Sequence, residues 1–183
     1  GEGGITAAWK MRIATHVSDQ QLGNFAMDGS VPPYGIPHVR VDRVGVPLPI
    51  EAGYLRGHPQ RTMVFAIESF ADALEPAAGA EPSAFRMAML GKNPRPPRCL
   101  SQAASLAGWD GGGQGSTMGL AAASLFGSHV GLVANASRGR DQHIQVHRLV
   151  AAVDCGRVVN PQLVRQQIES GLIWAMGLAT VRE

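Results

Sequence analysis

The chain has 183 residues, 45% of them hydrophobic and 16% charged, so it is long enough to bury a core and too apolar for a disordered tail. Sixteen basic residues against fourteen acidic ones leave a formal charge of +2 with no run of Lys or Arg, which excludes a nucleic-acid footprint. No apolar run approaches the roughly 18 residues that cross a bilayer, and the N-terminus has no basic segment leading into an apolar one. Cys99 and Cys155 fit neither a zinc spacing nor a disulfide framework and read as small buried residues. Gly1-Glu2-Gly3-Gly4 carries no initiator Met, so the sequence reads as an excised fragment forming one domain piece over 1–183.

Residues 1–53 read as irregular β. Ile5, Ala7 and Trp9 alternate with Thr6, Ala8 and Lys10, and Met11 and Ile13 continue a period of two that suits a half-buried strand. Asp28-Gly29 and Pro32-Pro33 mark a loop. Val39, Val41, Val44 and Val46 suggest a second strand, and Pro47 and Pro49 end it because neither donates a ladder hydrogen bond. Residues 54–108 read as helical. Met63, Val64, Ile67, Phe70, Ala71 and Leu74 form an apolar stripe on one helix; Pro82, Phe85 and Met89, with Gly91 past the end, describe a second; Pro97 to Leu106, stopped at Gly108, describes a third.

Four glycines between Asp110 and Gly115 make residues 109–115 a loop. Residues 116–183 read as strands plus a C-terminal helix. Leu120 to Ala136 is a strand, a bend at Phe126-Gly127-Ser128 and a second strand. Ser137 to Asp141 connects to a third, which alternates at Ile144 and Val146 and becomes fully apolar from Leu149 to Val153. Asn160 is an N-cap and Pro161 a first-turn residue for a last helix striped by Val164, Ile168, Gly171, Leu172, Ala175 and Ala179. The fold class is mixed α/β.

Few patterns carry chemistry by themselves. Gly111 to Thr117 lacks both the Lys of a P-loop and the strand-to-helix setting of a dinucleotide fingerprint, so it reads as a surface loop. His143 and His147 read as a surface pair, and Ser116 and Ser128 lack the frame of a nucleophile elbow. Arg56 stands in Tyr54-Leu55-Arg56-Gly57-His58-Pro59, a turn that can present a guanidinium to an anion or carbonyl; by pattern alone it reads as a solvated loop arginine. Glu68 reads as a helix-face carboxylate paired with a neighbour, and Arg165 with Glu169 as an exposed ion pair.

Longer strings are more specific. Leu55-Arg56-Gly57, Phe65 to Asp72, Phe85-Arg86-Met87-Ala88-Met89-Leu90, the run from Val146 through Asp154-Cys155-Gly156-Arg157-Val158-Val159-Asn160-Pro161, and Gln167-Ile168-Glu169-Ser170-Gly171 stand in one order. So ordered, the chain resembles the molybdopterin-binding large subunit of the xanthine dehydrogenase and aldehyde oxidase superfamily. Within it the chain looks most like the isoquinoline 1-oxidoreductase beta subunit, also described as a membrane-bound aldehyde dehydrogenase. Ile5 to Met11, Tyr34 to Pro37 and Val39 to Asp42 are similar to the opening of the same subfamily, so the resemblance covers nearly the whole chain.

The resemblance implies a piece of the molybdenum-cofactor-binding domain and a parent that hydroxylates an aldehyde or an electron-poor N-heterocycle. Water supplies the oxygen, and electrons pass to a small [2Fe-2S] subunit, with a cytochrome subunit as a further partner. It implies a bacterial-type complex, soluble or membrane-associated. Arg56 matches an arginine near the substrate, Arg86 an arginine that contacts the pterin, and Gln167 a glutamine near the cofactor's phosphate arm. The implied cofactor is molybdopterin with molybdenum, in its cytosine dinucleotide form. Its dithiolene holds the metal, so the chain supplies no metal ligand and, alone, is not required to bind the cofactor.

Three departures stand out. The family's catalytic glutamate lies in a Gly-Glu-Pro string that this chain does not contain, Ser170 stands where a glycine is usual, and Gly111 to Ser116 resembles the family's Gly-Gln-Gly loop but stands where a variable loop is expected. The competing expectation is a non-catalytic domain that keeps the fold and binds a partner subunit.

Overall fold

The computed structural model describes residues 4–16, 27–49, 56, 59–91, 93–140 and 143–180. The chain forms two compact units, residues 1–92 and 93–183, and the boundary falls inside the segment expected to be helical over 54–108.

In the first unit, β1 (Ala8–His16) and β2 (His38–Val46) pair in parallel from Ala8 opposite His38 to His16 opposite Val46. The two strands expected within residues 1–53 are each nine residues long. The alternation of β1 works as read: Trp9 is buried, Met11 and Ile13 are half-buried, and Lys10 and Arg12 are exposed. Trp9 meets Phe70 edge-on, with ring centroids 5.0 Å apart, a geometry favoured by the ring quadrupoles.

Phe70 belongs to α1 (Gln60–Ala78), whose stripe buries Met63, Ile67 and Ala71. Phe70 itself is half exposed, so the expected stripe is narrower than its apolar residues. α2 (Pro82–Met89) begins at its proline and is capped by Glu81, whose carboxylate accepts from Ser83 and Ala84 N–H at 3.0 and 2.7 Å. It adds Phe85 and Met89 to a core that includes Tyr34, Ile36 and Leu90.

In the second unit, α3 (Arg95–Ala107) buries Pro96, Cys99, Leu100, Ala103 and Ala107, the helical spacing of one face. Leu106, at the expected end of that helix, is on the outer side and exposed. The helix stops at Gly108, which is left-handed at φ 69° as expected. β3 (Met118–Leu125), β4 (Ser128–Arg138) and β5 (Ile144–Asp154) form an antiparallel sheet in that order. Phe126 and Gly127, both at positive φ, make the two-residue hairpin turn, whose twist suits the flanking strands. Register shifts between Asn135 and Ala136, which pair with Arg148 and Val146, leaving His147 as a bulge residue.

α3 lies on the sheet face of Leu120, Ala122, Gly131 and Val133. The approach is close at Gly131, where a side-chain Cβ would lie 2.5 Å from the Cys99 carbonyl oxygen and Leu100 Cα. α4 (Pro161–Thr180) packs loosely: none of its residues is fully buried, and a cleft of about 620 Å³ separates Val164, Ile168 and Leu172 from Leu149, Ala151 and Val153 of β5. Cys99 is buried as expected, its thiol pushed up by burial; Cys155 is half-buried. Among the described residues no helix is long and apolar enough to cross a membrane.

Candidate functional site

The segment from Asp154 to Gln167 is built at the end of β5. The Asp154 carboxylate accepts from Arg95 Nε at 2.9 Å and Nη2 at 2.7 Å, a bidentate fork, and from the Gly156 N–H at 3.0 Å. Arg95 opens α3, where Asn93 Oδ1 accepts its backbone N–H at 3.1 Å. The fork, and secondly the Gly156 N–H, hold the Asp154 carboxyl well below the usual carboxylate range.

Beyond the clamp, Asn160 Oδ1 accepts the Leu163 N–H at 3.1 Å, the expected cap, and α4 begins at Pro161. Arg165 Nε reaches Glu169 at 2.7 Å on the solvent side, the expected exposed pair. Gln167 is exposed on α4, and among the described residues no hydrogen bond engages its amide.

The clamp carries a pH dependence with a definite sign. A carboxylate whose folded pKa is depressed contributes stability that is present above its unfolded value, 3.8 here, and is lost as pH falls through the folded value. Unfolding of the second unit, followed from about pH 5 to about pH 2, is expected to show an acid-induced loss of stability that Asp154→Asn diminishes. An unchanged acid limb in Asp154→Asn would remove the clamp from this account.

The loop from Asp110 to Ser116 closes on itself. Asp110 accepts from the Gly112 N–H at 3.0 Å and from Ser116 Oγ at 2.9 Å, so a carboxylate sits where an anion cradle would leave its amides open. His147 Nε2 and Ser137 Oγ lie 2.7 Å apart on the surface, and among the described residues no group of three or more His, Cys, Asp or Glu is placed to hold a metal ion.

In the first unit the dominant charge is Arg86, wholly buried on α2. Its Nε donates to Glu68 Oε2 at 2.9 Å, Nη1 to the Pro82 carbonyl at 3.2 Å, and Nη2 to the Asp72 carboxylate and the Glu68 carbonyl at 3.4 Å. Glu75 Oε2 is 3.7 Å from Nη1. The Tyr34 hydroxyl donates to Glu68 Oε1. Burial would lower the Arg86 pKa, but Glu68 beside it reverses the direction, and burial followed by Glu68 raises that of Tyr34.

Glu68 is therefore paired, as read from the sequence. Tyr34, Asp72 and Glu75 were not singled out, although Glu68, Asp72 and Glu75 recur at i, i+4 and i+7 on one helix face. Arg56 is exposed in a turn; its neighbours at 50–55 and 57–58 lie outside the described residues. Arg56 and Arg86 do not share a surface, one being exposed and the other fully covered.

Residues 110–183, which hold the Asp154–Asn160 turn and α4, match the model of the molybdopterin cofactor-binding domain. Over 157 residues, 82% of its length, the chain is 31% identical to isoquinoline 1-oxidoreductase subunit beta of Brevundimonas diminuta. Residues 110–183 belong to the molybdopterin cofactor-binding family. The chain spans 20% of the length of that curated relative. No solved structure matches this chain.

The side chains answer the cofactor unequally. A pterin edge presents donors and acceptors together, and the exposed amide of Gln167 can meet both. Arg86 is committed to Glu68, Asp72 and the Pro82 carbonyl, so any direct cofactor contact from it requires those partners to be displaced. An exposed guanidinium at Arg56 suits an anionic or carbonyl oxygen.

Proposed function

We propose that this chain is part of a molybdenum hydroxylase subunit acting on an aldehyde or an N-heterocycle. Water supplies the oxygen, and electrons leave to a [2Fe-2S] subunit and from there to a cytochrome subunit. The observation that carries this reading is the domain match over residues 110–183; the identity with a subunit of isoquinoline 1-oxidoreductase supports it. When bound, the molybdenum cofactor, in its cytosine dinucleotide form, supplies the two-electron redox chemistry.

The chain's own residues bind and orient. Gln167, held out on a capped helix whose approach turn is clamped by Arg95 and Asp154, binds the cofactor through its amide. Arg56 orients the substrate and stabilises oxyanion charge as it develops. Arg86 supports the cofactor region from inside by tying α2 to α1.

Steady-state kinetics on the full-length subunit with its partners, matched for molybdenum content, tests this. Arg56→Ala is expected to lower kcat/KM by about 10²-fold, as loss of one preorganised donor does, with thermal unfolding unchanged. Arg56→Lys is also impaired, because a point charge does not reproduce a planar fork. Gln167→Ala lowers molybdenum content instead. Wild-type kcat/KM in Arg56→Ala returns that residue to a solvated loop arginine. A full-length subunit that assembles with its partner but carries no molybdenum and no activity would establish the scaffold reading.

A further inference from the structure

The two cysteines of the chain border one small cleft in the second unit. Cys99, on the sheet side of α3, and Cys155, the first residue past β5, line a cleft of about 230 Å³ together with Arg98, Gln102 and Gly156. Their separation in the sequence carries no disulfide signal, and the fold brings them to the same cleft.

Three sets of contacts hold the two segments together. The Cys99 thiol donates to the His129 carbonyl at 3.5 Å, and His129 lies opposite Asp154 in the β4–β5 ladder, one residue before Cys155. Arg95, one helical turn before Cys99, grips the Asp154 carboxylate through its fork and places Nη2 3.5 Å from the Asp154 carbonyl oxygen. A Cβ built on Gly156 would lie 3.9 Å from the same Nη2. The Arg95 guanidinium therefore lies against the residues on both sides of Cys155, and the next turn of α3 presents Cys99.

The thiols differ in access. Cys99 is buried, and burial pushes its thiol up, which slows it as an attacking nucleophile. Cys155 is half-buried and is the thiol that a reagent in solvent reaches first.

We propose that Cys99 and Cys155 form a redox pair, which a small-molecule disulfide oxidises to a disulfide bond across the cleft, tying α3 to the turn that follows β5.

The exchange takes place in two displacements. The Cys155 thiolate attacks one sulfur of the small disulfide, whose S–S bond breaks and releases one thiolate, leaving Cys155 as a mixed disulfide. The Cys99 thiolate then attacks the Cys155 sulfur and releases the second small thiol. Two protein thiols lose two electrons, one small disulfide gains them, and both protons end on the departing thiols. A disulfide requires its two Cα atoms to lie within about 7 Å, so the bond closes the cleft and fixes residues 154–156 against α3. Those residues lead into the turn to Asn160 and α4, so the oxidised form holds that turn more tightly. Neither thiol belongs to the residues assigned to cofactor or substrate, and the pair stands or falls apart from that assignment.

Equilibration of the 183-residue chain in glutathione buffers of stepped thiol-to-disulfide ratio, with and without denaturant, measures the pair, read by thiol alkylation and mass spectrometry. The equilibrium constant for the Cys99–Cys155 disulfide is expected to be roughly 10-fold or more higher in the folded chain than in denaturant, because the fold raises the effective concentration of one thiol at the other. Amide exchange across residues 154–160 is expected to be slower in the oxidised form than in the reduced one. In Cys99→Ser, whose hydroxyl can still donate to the His129 carbonyl, oxidation stops at glutathione on Cys155. A constant in the folded chain no higher than in denaturant overturns the proposal, as does a native chain that accumulates glutathione on Cys155 without the intramolecular bond.

Discussion

Arg86→Ala is expected to destabilise the first unit by about 3–5 kcal/mol, the range for breaking a buried ion pair by removing one partner. The guanidinium is wholly buried, and without it the buried carboxyls of Glu68 and Glu75 lose the cation that faces them both. Glu68 would keep its Tyr34 hydroxyl but lose the Arg86 Nε that neutralises it. Arg86→Lys retains the charge but cannot reach Glu68, Asp72 and the Pro82 carbonyl together, so it falls between the alanine variant and the native residue. Denaturant unfolding near pH 6, monitored by a probe in residues 1–92, measures both. A loss below about 1 kcal/mol in Arg86→Ala would mean that the cluster does not hold α1 and α2 together.

The second large effect is steric. Gly131→Val is expected to destabilise the second unit by about 3 kcal/mol or more, at the upper end of overpacking penalties. A Cβ at position 131 would stand 2.5 Å from the Cys99 carbonyl oxygen and Leu100 Cα, and both are helix backbone, which cannot rotate away as a side chain tip can. Relief requires α3 to move off the sheet, which would uncover Leu100 and Ala103, both fully buried, together with Val133. Gly119, on the adjacent strand with open space around it, is the control: Gly119→Ala should be tolerated. Equal stability of the Gly131 and Gly119 variants would show that α3 does not approach β4 as described.

These two positions differ in how far the sequence announced them. Arg86 stood out through its resemblance to a pterin-contacting arginine, and its sequence neighbours Phe85 and Met89 placed it on a helix next to apolar positions. Its burial among carboxylates depends on Glu68, Asp72 and Glu75 from another helix and Tyr34 from a loop. Gly131 carried no signal at all, because a glycine within a strand pattern reads the same whether a helix or solvent lies over it.

The candidate site divides the same way. The Asn160 cap, the Pro161 start and the order of the Asp154 to Gln167 string were legible, since each is a matter of residues within one or two turns of each other. The Arg95 fork on Asp154 was not: its partners are separated by 59 positions and belong to different elements.

By itself the sequence determined the order and kind of nearly every element, the stop at Gly108, the bend at Phe126-Gly127-Ser128, and the resemblance to the molybdopterin-binding family. All of these rest on periodicity, capping and strings confined to neighbouring residues. Only the tertiary structure decided that β1 and β2 run parallel, that the chain divides at residue 92 into two compact units, that Arg86 is enclosed while Arg56 is exposed, and that Glu75 is left without a hydrogen bond on one oxygen. Strand direction, burial and pairing are properties of what packs against a residue from far along the chain, and the local period of hydrophobicity is the same whichever partner arrives.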